Sequence, residues 1–258
     1  MAEARPASPR PLHVHLVPSL FTPGMLAGGT AVVIDVLRAS TTVCSALAAG
    51  CDRVVPCGTV EDARTVAAGL REAGEPALLA GERGCVRVDG FDLGNSPGDY
   101  TPGALGGRPV VLTTTNGTAA LLRCLEAREV LVGCFVNLSV LCDHLAGGDG
   151  PVHLVCAGTD RSITAEDSLF AGRVVNRLSE SGAGTADHHD GDPTALAAAF
   201  AAARPDTAAA LHASRGGRNL ARLGRGGDID ACAAADTAPV VPTLRPVAGG
   251  GSLFMADP

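Results

Sequence analysis

The sequence predicts an α/β protein of three layers, a mostly parallel or mixed sheet with helices on both faces, followed by a helical C-terminal segment. Two observations predict it. Short, almost wholly apolar runs recur along the chain, as strands buried on both faces require. Between them, apolar residues repeat at helical spacing.

The elements follow in order. Residues 1–11, MAEARPASPRP, lack the charged start and apolar core of a secretory signal and read as a disordered leader. LHVHLV, AVVIDV, RVVPC, PALLAG, PVVLTTT, EVLVGCF and VHLVCAG read as strands. Helices are expected around Val43 and Leu47, around Val60, Ala63 and Leu70, around Leu121 and Leu125, and around Phe170, Val174 and Leu178. The sheet region with the active site is assigned to residues 12–181. The stretch SGAGTADHHDGDP breaks the pattern, so 182–193 reads as a linker or long loop. An alanine-rich helical segment packed on the sheet region is expected over 194–242, and 243–258 as a tail.

Composition removes several functions. All 20 basic residues are arginine, so a Schiff base, a pyridoxal phosphate anchor and a P-loop are excluded, and arginine is left to bind anions. A net charge of −7 with few aromatics argues against nucleic acid as a partner. No apolar run approaches the ~18 residues of a membrane span, which argues against a membrane partner. Nine cysteines without a CxxC pair fit buried thiols in a reducing compartment, so neither disulfides nor zinc are expected and the cytoplasm is the expected location.

In open α/β sheets ligands sit beyond the carboxyl ends of the strands, so polar clusters there hold the candidates. Five stand out: Asp35 with Arg38, GERG, GFDLGNSP, TTTNGT and CAGTDRSITAED. TTTNGT is either a hairpin turn or an anion site where a strand passes into a helix start. In ITAED, Thr164 and Asp167 could form an N-cap, yet a cap does not need the adjacent pair Glu166 and Asp167. A divalent cation would use both with Asp35. An aspartyl-nucleophile phosphatase expects a second aspartate where Leu37 stands, and a cysteine phosphatase needs one more residue between Cys156 and Arg161. ADHHDGDP, with His188 and His189, is rich in ligand chemistry but has no strand before it, and reads as solvated linker.

Taken together, AVVIDVLRAS, GERG running on to GFDLGNSP, TTTNGT, VGCFVN, CAGT with AEDSLFAG, and NLARLGRGGDIDACAAAD followed by VVP resemble the magnesium-dependent 2-phosphosulfolactate phosphatases over about Leu12 to Pro242. The resemblance implies hydrolysis of 2-phospho-3-sulfolactate, a small anionic phospho-acid, to 3-sulfolactate and phosphate, with coenzyme M biosynthesis one setting. It implies Mg²⁺ on Asp35, Glu166 and Asp167, with Arg38, Arg83 and the amides of Asn116, Gly117 and Thr118 neutralising developing charge. Glu82 is the candidate for acid/base work or a further ligand. Asn95, Ser96, Thr115 and Asn137 would hold the substrate, and a homo-oligomer is expected. The SITAED segment, the linker and the glycine-rich end depart from the family pattern. The alternatives are a phosphatase of another small phospho-acid and a non-catalytic binding protein for an anionic metabolite.

Overall fold

The computed structural model describes residues 9–185, 191–246 and 252–256. The expected leader through residue 8, and His188 and His189, lie outside the described residues. The strands are β1 (Arg10–His15), β2 (Thr30–Ile34), β3 (Val54–Pro56), β4 (Leu78–Arg83), β5 (Val86–Arg87), β6 (Val110–Thr113), β7 (Glu129–Gly133), β8 (Val152–Cys156), β9 (Gly184–Thr185), β10 (Pro242–Pro246) and β11 (Ser252–Ala256). The helices are α1 (Ala39–Ala48), α2 (Val60–Glu72), α3 (Pro102–Leu105), α4 (Gly117–Leu122), α5 (Leu138–Gly147), α6 (Ala165–Glu180), α7 (Asp192–Ala202), α8 (Thr207–Ala213), α9 (Arg215–Arg222) and α10 (Gly226–Ala233).

Among the described residues these strands form one mixed sheet in the order β5-β4-β6-β3-β11-β10-β7-β2-β8-β1-β9. Two parallel blocks, β4-β6-β3 and β7-β2-β8-β1-β9, are joined by the antiparallel hairpin of β10 and β11. Both faces are covered, as the apolar runs require. On β2, Ala31 and Val33 pack toward α1 and α4, whereas Val32 and Ile34 pack toward α5 and α6. In the other block Val111 and Leu79 face Ala63 and Ala67 of α2.

Three boundaries differ from the expected ones. Arg10 and Pro11, placed in the leader, begin β1. Buried Arg10 donates to the carbonyls of Gly150 and Leu145 and to Thr30 Oγ1, at 2.8, 2.7 and 2.9 Å, which fixes the strand's start. Within 182–193, Gly184 and Thr185 pair with β1 and α7 begins at Asp192. Much of the expected tail lies inside the sheet: Phe254 is buried opposite Val54, and Thr243 is buried opposite Leu131. A hairpin whose partners lie over a hundred residues earlier leaves no local signal. The helix expected at Leu121 and Leu125 stops at Leu122, leaving Leu125 exposed.

Candidate active site

All five polar clusters converge on the space where β2, β4, β6 and β8 end, and α9 closes it from the opposite side. The result is a cavity of about 420 Å³. Asp35 and Arg38 enter it from the turn after β2, Glu82 from the end of β4, Thr115 and Asn116 from the loop after β6, and Glu166 from the first turn of α6. Asn95 completes the floor, while α9 contributes Asn219 and Arg222.

The acidic groups differ in how they are satisfied. Asp35 Oδ1 accepts the Ala39 N–H at 3.4 Å. Burial pushes the Asp35 carboxyl up to about 7, and Glu82 and Glu166 add to the rise, while the Ala39 amide and Arg38 oppose it. Burial also raises Glu166, against Ser214 and Arg215, and Glu166 Oε2 is buried with no hydrogen-bond partner. Backbone presses on the same carboxylate: a Cβ added at Gly216 would stand 2.4 Å from Glu166 Oε1. Asn95 Oδ1 is likewise buried and unpartnered. Two orphan oxygen acceptors and an underionised aspartate lining one cavity describe a site short of positive charge.

Glu82 is different. Its Oε1 accepts from both the N–H and the hydroxyl of Thr115 at 2.9 Å, and Oε2 accepts the Cys85 N–H at 2.8 Å. It therefore ties the loop after β6 to the turn after β4 while still lining the cavity.

Arg38, nearly devoid of solvent contact, is held from three sides. Nη1 donates to Asp228 Oδ2 at 2.6 Å and Ser96 Oγ at 3.1 Å, and Nη2 donates to the Cys85 carbonyl at 3.3 Å. Ser96 in turn donates to Asp228 and accepts from Arg225 Nη1 at 2.7 Å. Asp228 of α10 and Arg225 thus set the guanidinium's orientation.

Several expected site residues stand elsewhere. Asp167 lies behind the cavity: Oδ1 accepts the Val36 N–H at 2.9 Å, and Oδ2 accepts the Gly158 N–H and the Thr164 hydroxyl at 3.1 and 2.7 Å. Burial holds its carboxyl well above the usual range, with Asp35 and Glu166 contributing. Among the described residues no group of three or more His, Cys, Asp or Glu is arranged to hold a metal, so the trio Asp35, Glu166 and Asp167 is not assembled as one ligand set. Arg83 turns outward, donating to its neighbour's carbonyl at 2.6 Å and to Thr113 Oγ1 at 2.9 Å. Ser96 sits behind Arg38. Gly117 and Thr118 line an apolar recess beside Val43, Leu112, Val132 and Phe254. The Thr118 N–H is directed to Thr114 Oγ1, and Gly117 lets the helix start approach Asp35, since a Cβ there would meet Oδ2 at 3.0 Å. Asn137 is fully buried; its Oδ1 accepts the Cys134 N–H, and Nδ2 donates to the carbonyls of Val132 and Val240. It caps a turn and clasps the strand ends, away from the cavity.

The sequence reading missed Thr159, Asp160, Asn219, Arg222, Arg225 and Asp228. The signal was present in RNLARLGRGGD, three arginines closely spaced in a chain that has no lysine.

A family model described as 2-phosphosulpholactate phosphatase matches residues 16–246. A probable 2-phosphosulfolactate phosphatase of Deinococcus radiodurans is 38% identical over 95% of this chain and 99% of that protein. Proteins of the same name from Thermotoga petrophila and Symbiobacterium thermophilum are 38% and 39% identical, covering 83% and 85% of this chain and 88% and 92% of theirs.

Proposed function

The chain belongs to the 2-phosphosulpholactate phosphatase family, and from that premise we propose that it is a phosphoric monoester hydrolase. It cleaves 2-phospho-3-sulfolactate with water to 3-sulfolactate and phosphate, and does so with Mg²⁺. The observation that carries this reading is the cavity at the strand ends, where Glu166 and Asn95 each offer a buried oxygen without a donor and Asp35 accepts a long bond from the Ala39 N–H, beside one anchored guanidinium.

These residues fit a hard divalent cation. Mg²⁺ takes oxygen ligands and commonly uses only one or two carboxylates, keeping waters and substrate phosphate in its remaining positions. Asp35 and Glu166, with the Asn95 carbonyl oxygen, would hold it; Asp167 supports them by fixing the backbone of Val36 and Gly158. Bound there, the ion supplies Lewis acidity to the phosphoryl oxygens. Arg38, held by Asp228, Ser96 and the Cys85 carbonyl, turns its remaining N–H groups to the same oxygens and neutralises charge developing on them. Thr115 and Asn116 border the phosphoryl group. Glu82 keeps their loop in register.

No helix among the described residues is long and apolar enough to cross a membrane. The described cysteines are all free thiols, mostly buried, which suits a cytoplasmic setting.

Phosphate release from 2-phospho-3-sulfolactate with Mg²⁺, and after chelation, tests the reading. Chelation abolishes turnover and Mg²⁺ restores it. Asp35→Asn lowers kcat by at least about a hundredfold, the scale of one strong transition-state contact. Full activity in excess chelator removes the metal from the proposal, and near-normal kcat in the variant removes Asp35.

A further inference from the structure

The cavity's charge census leaves one guanidinium uncommitted. Asp35, Glu82, Asp160 and Glu166 bring carboxylates to its lining, against Arg38 and Arg222. Arg38 is taken by Asp228. In the segment from Arg215 to Arg225, Arg215 pairs with Asp160 Oδ2 at 3.3 Å and the Thr159 carbonyl at 3.2 Å, Arg218 donates to the Ala213 carbonyl, and Arg225 donates to Ser96. Arg222 makes no hydrogen bond or ion pair among the described residues, yet it lines the cavity. Asn219, three residues earlier, lines it too, because i and i+3 share a helix face.

Position along α9 says which substrate group Arg222 meets. Gly216 abuts Glu166, so the N-terminal end of α9 stands over the acidic floor. Arg222 begins roughly 9 Å further along the axis, at a rise of about 1.5 Å per residue. Its side chain leans back toward the helix N-terminus, over the middle of the cavity. In 2-phospho-3-sulfolactate the carboxyl carbon is three bonds from phosphorus and the sulfonate sulfur four. With the phosphoryl group on the floor, the sulfonate is the acidic group that reaches furthest toward the roof.

We propose that Arg222, assisted by Asn219, is the sulfonate-recognition residue of this enzyme and sets its preference for sulfonated over plain phospho-acids. This rests on the function proposed above. A guanidinium presents paired donors in a fixed plane, which suits a sulfonate's oxygens, and an amide adds a further donor.

The test compares wild type, Arg222→Gln and Arg222→Lys on 2-phospho-3-sulfolactate and 2-phospholactate under identical Mg²⁺. A charged hydrogen bond carries about ten- to a hundredfold in binding. Arg222→Gln therefore lowers the kcat/KM ratio of the two substrates by at least about tenfold, mainly through KM for the sulfonated one, and Arg222→Lys recovers part of it. An unchanged ratio overturns the inference, even if absolute rates fall. Calorimetric binding of 3-sulfolactate and of lactate separates the two readings. A wild type that hydrolyses no 2-phospho-3-sulfolactate refutes the function, while sulfolactate affinity lost on Arg222→Gln still supports the subsite. Sulfolactate affinity insensitive to Arg222 refutes it.

Discussion

Three imidazoles stand together across β1 and β8, outside the lining of the cavity, and they make acid stability calculable. His15 Nε2 meets His153 Nδ1 at 3.1 Å, and His13 stacks on His153 with centroids 5.0 Å apart. Burial lowers both His15 and His153 from 6.5 to about 4, with the neighbouring imidazoles adding to the fall. The folded state therefore keeps these rings neutral where the unfolded chain protonates them. Below the unfolded value of 6.5 the unfolded state binds more protons, so stability is present above that pH and is lost as pH falls toward 4. One ring is worth about 3 kcal/mol across the full window, of which about 2 kcal/mol is gone by about pH 4.5. The two rings share a hydrogen bond, so together they contribute less than twice that. The buried carboxyls of the active site slope the other way, since raised folded values favour the protonated fold. A difference measurement isolates the imidazoles: urea unfolding of wild type and His15→Asn/His153→Asn near pH 7 and near pH 4.5. Wild type should lose at least about 2 kcal/mol more than the variant between the two. Parallel losses would refute the reasoning.

Two further perturbations probe the frame around the site. Asp228→Ala leaves the Arg38 guanidinium buried without its carboxylate; with Ser96 and the Cys85 carbonyl still in place, the loss should be near the lower end of the ~3–5 kcal/mol for breaking a buried pair, and urea unfolding checks it. Phe254→Ala removes a buried ring from β11 at the join between the parallel blocks and should cost about 3–5 kcal/mol in the same assay; a cost below about 1 kcal/mol would show that the hairpin is not part of the core.

The layered α/β class, the positions of β2, β6, β7 and β8, and the clusters at strand ends were legible in the amino-acid order. Unbroken apolar runs such as AVVI and PVVL state burial on both faces, and burial on both faces is a local property of a run. That Asp35, Arg38, Glu82, Thr115, Asn116 and Glu166 line one cavity was legible for the same reason, because a strand's carboxyl end is where a cleft opens. The residue types alone could not say which polar groups are spent on the protein itself. Asp167 and Glu166 are adjacent and equally acidic, yet one meets three donors and the other leaves an oxygen bare, because only the fold brings Val36, Gly158 and Thr164 around Asp167. Asn137 and Arg83 belong to the same lesson, as does the hairpin read as a tail. The roof of the cavity could not be placed from the amino-acid order, since α9 lies 180 residues from Asp35 in sequence and meets it only after the sheet has closed. Local pattern determines which segments are buried and where strands end. Hydrogen-bond saturation and long-range pairing depend on partners distant in the chain, and only tertiary structure supplies them.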